Sequence, residues 1–236
     1  WYEKWKEKRM QWHKLMGFNE KDYRFHDHDK LAHYADAACD IEFKFPFGFK
    51  ELEGIHSRTD FDLSQHEKFS GKKLRYFDPE SKETYVPYVV ETSIGLDRMF
   101  LSVLTASLHE ENLENDTKRL VLKIPAFLAP FQAAVLPLVK KDGLEERSNE
   151  LYENLRPFLN VTKDEKDAIG RRYRRQDAIG TPVCITIDHD TLKDNSVTFR
   201  LRDSMEQYRV DLNSVRDELS KPVSYTHLTL PTTYGV

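Results

Sequence analysis

The sequence predicts a mixed α/β protein built in two consecutive parts. Three observations predict it. Strand-like runs recur between residues 40 and 93 and lead into one amphipathic helical stretch. The composition then turns polar at residues 109–119 (HEENLENDTKR), which have no apolar period and read as a linker. After it, strand-like and helix-like segments alternate over about 100 residues, the pattern of an α/β domain. A length of 236 residues fits one large domain or two small ones.

Residues 1–16 (WYEKWKEKRMQWHKLM) read as a helix stopped at Gly17. Trp1, Trp5, Trp12 and Leu15/Met16 fall near one stripe, expected to be a buried anchoring face rather than a stacking surface. Next, the stretch from Tyr23 to His33 holds His26, His28, His33, Asp27 and Asp29, residue types that bind zinc. His26 and His28 share a face only if the segment is a strand, and no fourth ligand is evident. Hydrogen-bonded histidines are therefore expected, and no metal site is assigned. Residues 40–47 (DIEFKFPF) alternate as a strand, 50–63 form a second strand and a turn, and Asp78–Ser81 joins a hairpin. Residues 85–93 make a further strand and 95–108 an amphipathic helix with Met99, Phe100, Val103 and Leu104 on its apolar side.

Beyond the linker the expected strands are 120–124, 133–139, 159–162, 182–187 and 196–201, and the expected helices are 144–157, 166–178 and 211–220. The last fifteen residues, Pro222–Val236, carry no charge, and Val223–Thr232 resembles a translated sequencing adaptor. That tail is expected to be non-native. The expected domain limits are 1–108, a linker at 109–118, and 119–221.

Composition narrows the function classes. Charged residues make up 32% and hydrophobic residues 39%, a globular balance. With 36 Lys+Arg against 40 Asp+Glu the net charge is -4, which excludes a bulk electrostatic grip on nucleic acid but not a local basic patch. Two cysteines, Cys39 and Cys184, argue against a disulfide framework or a cysteine-rich zinc site. No run of about 18 apolar residues predicts a membrane span. The expectation is a cytoplasmic protein, and the start at Trp1 suggests a piece of a longer one.

Two constellations carry chemistry. In Glu91-Thr92-Ser93-Ile94-Gly95-Leu96-Asp97-Arg98 a strand ends in an acid, passes a glycine and opens a helix with an arginine in its first turn. Glycine lets a flat ligand approach the backbone, and such an arginine can lie over a base while reaching phosphate oxygens. Asp97 also suits the helix dipole. The second, residues 51–63 (ELEGIHSRTDFDL), is dense in carboxylates of the kind that hold Mg²⁺ beside a polyphosphate. Each alone reads more readily as a capped helix or a charged strand edge.

Taken together, these segments resemble class II glycyl-tRNA synthetases of the homodimeric type, from Trp1 to about Lys221. The resemblance rests on RFHDHDKLAHYA (24–35), residues 51–74, YVPYVVETSIGLDRMFL (85–101), LAPFQAAVLPLVKKDGL (128–144) and RRYRRQDAIGTPVCITIDHDTL (171–192). GLDR resembles the third signature motif of that class. The first and second motifs are expected upstream of Trp1, so the chain alone is expected to be inactive.

The resemblance implies the C-terminal part of an α+β catalytic core, with an antiparallel sheet flanked by helices, followed by an α/β anticodon-binding domain. It implies ATP-dependent activation of glycine and transfer to tRNA(Gly), with Mg²⁺ assisting, in a homodimer. By it, Glu51, Leu52, Gly95, Leu96, Asp97 and Arg98 line the ATP site, and Glu91, Thr92, Ser93, Ile94 and Gly95 form the glycine site. Arg58 is a weaker candidate for an active-site charge. No covalent nucleophile is required. Arg171, Arg172, Arg174 and Arg175, four cations in five residues, are candidates for tRNA phosphates, with Tyr173 and Gln176 candidates for the bases. The competing reading is a non-catalytic, synthetase-like RNA-binding or polymerase-accessory protein. Such a relative would be expected to lose Glu51, Glu91 or Arg98, all of which are present.

Overall fold

A computed structural model describes residues 1–113 and 117–223. Of the tail expected to be non-native, Ser224–Val236 lies outside the described residues. The chain divides into two compact units, Trp1–Thr105 and the remainder from Ala106.

The first unit opens with helix α1 (Tyr2–Leu15). An antiparallel sheet follows in the order β1-β2-β3-β6, formed by β1 (Tyr23–Asp27), β2 (Ala37–Phe45), β3 (Gly48–Ser57) and β6 (Val90–Ile94). Cys39, Ile41, Phe43, Phe45, Leu52 and Ile55 form its core. The tryptophan stripe only partly forms the inward face of α1: Met16 is buried and Trp5 and Trp12 are half-buried. Trp1 is 74% exposed, whereas Arg9 and His13 are buried. The reason is Glu53 on β3, a buried carboxylate that requires donors. Arg9 donates to it through Nε and through Nη2 (3.1 Å), and His13 Nε2 lies 2.8 Å from Oε2. Burial works to raise the Glu53 carboxyl, but the bonds from His13 and Arg9 outweigh it and hold it below the ordinary value.

One irregularity in β3 sorts its acids. Glu53 pairs with Ile41 and Glu51 with Glu42, so Leu52 is an extra residue with no partner on β2. Glu51 and Glu53 therefore point to opposite faces although they are two residues apart.

Between β3 and β6 lie α2 (Phe61–Ser70), ended by Gly71 at φ +69°, and a two-stranded hairpin of β4 (Tyr76–Phe77) and β5 (Thr84–Tyr85). The expected strand at 85–93 is thus two strands, parted at residues 86–89, which include Pro87. Helix α3 (Leu96–Ser107) follows β6.

The second unit begins not with a linker but with an antiparallel pair, β7 (Leu108–Asn112) and β8 (Lys118–Leu122). This corrects the reading of 109–118. The stretch is polar because nearly all of it faces water, and it is held through Glu111 by Arg119 of β8. That side chain, 1% exposed, donates to the buried Asp177 at 3.1 Å, to the Arg202 carbonyl at 2.8 Å and to Glu111 at 2.6 Å. The main sheet runs β10-β9-β11-β12-β13. Its strands are β9 (Ala133–Pro137), β10 (Val161–Lys163), β11 (Val183–Ile187), β12 (Ser196–Leu201) and β13 (Gln207–Asp211). β9 is parallel to β10 and β11, and the last two strands are antiparallel. Helix α4 (Leu144–Leu155) and α7 (Val215–Val223) bury Leu144, Leu151, Leu155, Val215 and Leu219 with one face of the sheet. Helix α5 (Ile169–Ile179) covers Ala134, Leu136 and Cys184 with Ile169 and Tyr173. The short α6 (Thr191–Asp194) and strand β13 have no counterpart in the sequence reading.

Candidate active site and RNA-binding surface

The acids and the arginine singled out in the first unit converge on β3, β6 and the start of α3. Register sets the layout: His56 faces Glu91, Ile55 faces Thr92, Gly54 faces Ser93 and Glu53 faces Ile94. From the first turn of α3, Arg98 Nη1 donates to the Glu51 carbonyl at 2.6 Å and to its Oε2 at 3.0 Å. Both side chains are about half exposed (52% and 53%), so the pair stands open to a ligand. The bulge at Leu52 is what turns Glu51 toward Arg98 rather than toward α1. Leu52 itself is buried, so the groups it can offer a ligand are those of its backbone. Leu96 is 82% exposed, and Asp97 occupies the first turn, where the helix dipole favours an acid. A Cβ on Gly95 would meet nothing nearer than Arg98 Cβ at 3.8 Å, so the space over that backbone is open.

Glu91 is held from the other side. Arg58 Nη1 donates to Glu91 Oε2 at 2.7 Å, and Arg58 Nη2 donates to Asp62 Oδ1 at 2.9 Å. The guanidinium also lies 4.1 Å over the Tyr34 ring. Hydrogen bonding to Asp62, then to Glu91, raises the Arg58 pKa, and the same bond lowers that of Asp62. Thr59, at φ +52°, turns the chain out of β3, an uncommon backbone for a β-branched residue. His56 Nδ1 lies 4.0 Å from Glu91 Oε2. A Cβ on Gly54 would fall 2.9 Å from His56 Cε1 and 3.6 Å from Asp40 Oδ1, so that glycine makes room for the histidine.

Tyr34 and His56 are neighbours of this candidate site that the sequence does not single out, and Asp62 stands there only among the carboxylates of residues 51–63. The four-residue spacing of Arg58 and Asp62 was the available signal. Among the histidines, His28 Nε2 lies 2.9 Å from Asp40 Oδ2. Among the described residues no three His, Cys, Asp or Glu side chains converge as a metal site. The thiols are buried and free, with burial pushing Cys39 up to about 11 and Cys184 up to about 12, so neither is a thiolate nucleophile near neutrality.

The arginine run on α5 does not form one patch. Arg171 is 77% exposed, with Asp167 3.9 Å away. Arg174 meets Asp177 at 3.3 Å, and Arg175 meets Asp164 and Asp167, each at 2.8 Å. Arg172 is a correction: it is 2% exposed and donates to the carbonyls of Pro137 (2.6 Å), Leu138 (3.0 Å) and Asp164 (3.1 Å), and its Nε is buried without a partner, so burial keeps it from a phosphate. Burial lowers its pKa. Tyr173 and Gln176, read as base-contact candidates, also turn inward. The Tyr173 hydroxyl lies 2.6 Å from Thr186 Oγ1, and Gln176 Oε1 accepts from Thr181 at 2.6 Å. Helical spacing places 172, 173 and 176 on the side packed against the sheet.

Residues 132–222 match the anticodon binding domain family. The prolyl-tRNA synthetase of Cryptosporidium parvum, solved with L-proline and AMP, superposes with a TM-score of 0.62 at 15% identity, over 92% of this chain and 45% of that one. The RNA binding domain of threonyl-tRNA synthetase from the same species gives 0.60 at 20% identity, over 80% and 43%. At these identities the likeness is one of fold alone.

Sequence narrows the likeness. The glycine–tRNA ligase of Chlorobaculum tepidum is 47% identical over 220 residues, 93% of this chain and 47% of that protein. That of Clostridium tetani is 47% identical over 227 residues, 95% of this chain and 49% of that protein. The chain is similar over nearly its whole length to glycine–tRNA ligases, and it spans about half the length of the curated relatives it matches.

Proposed function

We propose that this chain is part of a glycine–tRNA ligase. In the reaction, the glycine carboxylate attacks the α-phosphate of ATP and pyrophosphate leaves. A hydroxyl at the 3′ end of tRNA(Gly) then attacks the glycyl carbonyl and AMP leaves. The observation that carries the reading is the meeting of two acid–arginine pairs, Glu51–Arg98 and Glu91–Arg58, on adjacent strands. It is supported by 47% identity to ligases of this activity.

Each proposed role follows from the chemistry of the side chain. Glu91, oriented by Arg58 through one oxygen, accepts the glycine ammonium on the other, a charge-assisted bond. Ser93, on the face of β6 that carries Glu91, is the proposed side-chain wall of the glycine site, with Thr92, Ile94 and Gly95 contributing backbone, because alternation turns the Thr92 and Ile94 side chains to the other face; steric exclusion would separate glycine from larger amino acids better than the weak discrimination of a loose pocket. Arg98 turns from Glu51 to the adenine face and the phosphates, while Glu51, Leu52, Gly95, Leu96 and Asp97 complete the ATP site. Such a site works mainly by positioning and charge stabilisation. No set of side chains among the described residues fits a resident Mg²⁺, so we expect the ion to arrive on the ATP phosphates and assign it no protein ligand. Arg171, with Arg174 and Arg175 beside it, is the proposed phosphate contact of the anticodon unit. The complete ligase is proposed to be a cytoplasmic homodimer. No helix among the described residues is long and apolar enough to cross a membrane.

The test is glycine-dependent ATP–pyrophosphate exchange and tRNA(Gly) charging by the complete ligase containing this chain, with Glu91→Gln beside it. Exchange that is glycine-dependent and lost in the variant is expected. Exchange that survives Glu91→Gln unchanged removes the ammonium contact, and its absence from the wild type removes the enzyme.

A further inference from the structure

The face of the first unit's sheet that carries Glu91 and Ser93 does not end at β6. Residues two apart on a strand share a face. Register sets Ser93 opposite Gly54 and Gly54 opposite Asp40, and in the next row it sets Glu91 opposite His56. His56 is thus the cross-strand neighbour of the acid proposed to hold the ammonium. Its ring is confined on the sides away from Glu91. A Cβ on Gly54 would fall 2.9 Å from Cε1. The His28 ring stands edge-on to it with centroids 6.1 Å apart, and His28 is itself held by Asp40 at 2.9 Å. Yet Nδ1 of His56 is buried and has no hydrogen-bond partner among the described residues. It lies 4.0 Å from Glu91 Oε2, about 1 Å beyond hydrogen-bond length. Arg58, where the chain leaves the sheet for the excursion through α2 and the β4–β5 hairpin, donates to that same oxygen at 2.7 Å.

We propose that His56 is a positioning residue of the glycine site: with its proton on Nδ1, it is the second donor to Glu91 Oε2 and fixes that carboxylate once the amino acid is bound. The inference rests on the function proposed above and deepens its site. A carboxylate oxygen has lone pairs for two donors, and Arg58 takes one of them. A buried ring nitrogen left unpaired costs free energy, so the bond is favoured as soon as Glu91 comes within reach. The terminal torsion of a glutamate is broad, and a small rotation of the carboxylate closes a gap of about 1 Å. Hydrogen bonds of this kind are often long in an empty site and tighten in the complex. Two donors on Oε2, one from each side of the Glu91 head group, leave Oε1 aimed at the ammonium. Because Nδ1 is itself buried, His56 acts through Glu91 and not on the substrate. No metal competes for the ring, since among the described residues no three His, Cys, Asp or Glu side chains converge.

The complete ligase carrying His56→Leu or His56→Asn tests this in glycine-dependent ATP–pyrophosphate exchange. Leucine fills much of the ring's volume without a donor, whereas the asparagine amide can place an N–H where Nδ1 stands. His56→Leu is expected to raise the KM for glycine about tenfold, the loss of one hydrogen bond to a charged group, while the KM for ATP stays within about twofold of wild type. His56→Asn is expected to recover most of that loss. An unaltered glycine KM in His56→Leu overturns the proposal. An equal rise in both variants does so too, because a donor at the Nδ1 position then makes no difference. A rise in the KM for ATP in step with that for glycine also overturns it, by marking a distorted sheet. Glu91→Gln run alongside separates this inference from the reading it rests on. If that variant leaves exchange unaltered, the ammonium contact proposed above fails and His56 with it. If it abolishes exchange while His56→Leu keeps wild-type glycine kinetics, the role of His56 alone is removed.

Discussion

Arg58 and Glu91 meet at 2.7 Å although 33 residues separate them. The contact closes the excursion at its base and fixes one carboxylate oxygen of Glu91, while Asp62 fixes the arginine in turn. A planar fork held at two points and stacked on Tyr34 has little freedom left, so Glu91 is oriented before any ligand arrives.

Arg58→Ala is accordingly expected to lower kcat/KM for glycine in pyrophosphate exchange by about tenfold or more. Arg58→Lys should recover little of it, because an ammonium cannot reproduce the fork. Glycine titrations of both variants measure this. Wild-type glycine kinetics in the alanine variant would show that Glu91 needs no such support.

Asp177 accepts from Arg119 and, through both oxygens, from Arg200 at 2.8 and 3.0 Å. Removing it leaves the buried Arg200 without a carboxylate partner and Arg119 with Glu111 alone. Asp177→Ala should destabilise the second unit by about 3–5 kcal/mol, read from urea unfolding of the 236-residue chain. A loss below about 1 kcal/mol would mean that Glu111 and the backbone carbonyls on Arg119 suffice without Asp177.

Glu53 makes the first unit sensitive to acid. Its folded pKa lies below the ordinary 4.5 because the bonds from His13 and Arg9 overcome the burial that works to raise it. A depressed carboxylate contributes stability in full above its unfolded value, and that contribution is lost as pH falls through the folded one. Thermal melting of the first unit should therefore fall steeply below about pH 4.5. In Glu53→Gln the acid limb should flatten while the plateau at neutral pH drops. An acid limb of unaltered steepness would assign the pH dependence to other carboxylates.

Arg171 and Arg172 are neighbours with opposite expected phenotypes. Arg171→Glu should weaken tRNA binding in a salt-dependent way and leave the melting temperature in place. Arg172→Ala strands three backbone carbonyls and should cost about 1–3 kcal/mol or more. Filter binding across a salt series, with melting curves alongside, separates them. Equal loss of binding without loss of stability in both would return Arg172 to the surface.

Periodicity made much of this architecture legible. The alternation in DIEFKFPF, the apolar stripe of α3 and the βα alternation of the second unit each follow from one buried face. Helix α2 gave no such signal, since none of its residues is fully buried. Strand β7 (Leu108–Asn112) is polar, and its pairing with β8 and the anchor of Arg119 override its composition. At the site, the motifs brought Glu51, Glu91 and Arg98 into view. The partnership of Arg58 with Glu91 depends on a long-range return of the chain that spacing does not encode. The run of arginines on α5 misled because four like charges in sequence look alike, whereas a helix turns one of them inward.

The bulge at Leu52 has a consequence for chain length. Leu52 is the spare position of β3, since without it Glu51 would still face Glu42 and Glu53 would still face Ile41. A one-residue gap here, which an alignment would score as a disturbance of the strand, would therefore leave each acid on its own side of the sheet. Drawing Leu52 into regular pairing would do the opposite: a slip of one residue turns the strand's preceding side chains over. Glu51 would then face α1 rather than Arg98, with no acid or arginine of the site replaced.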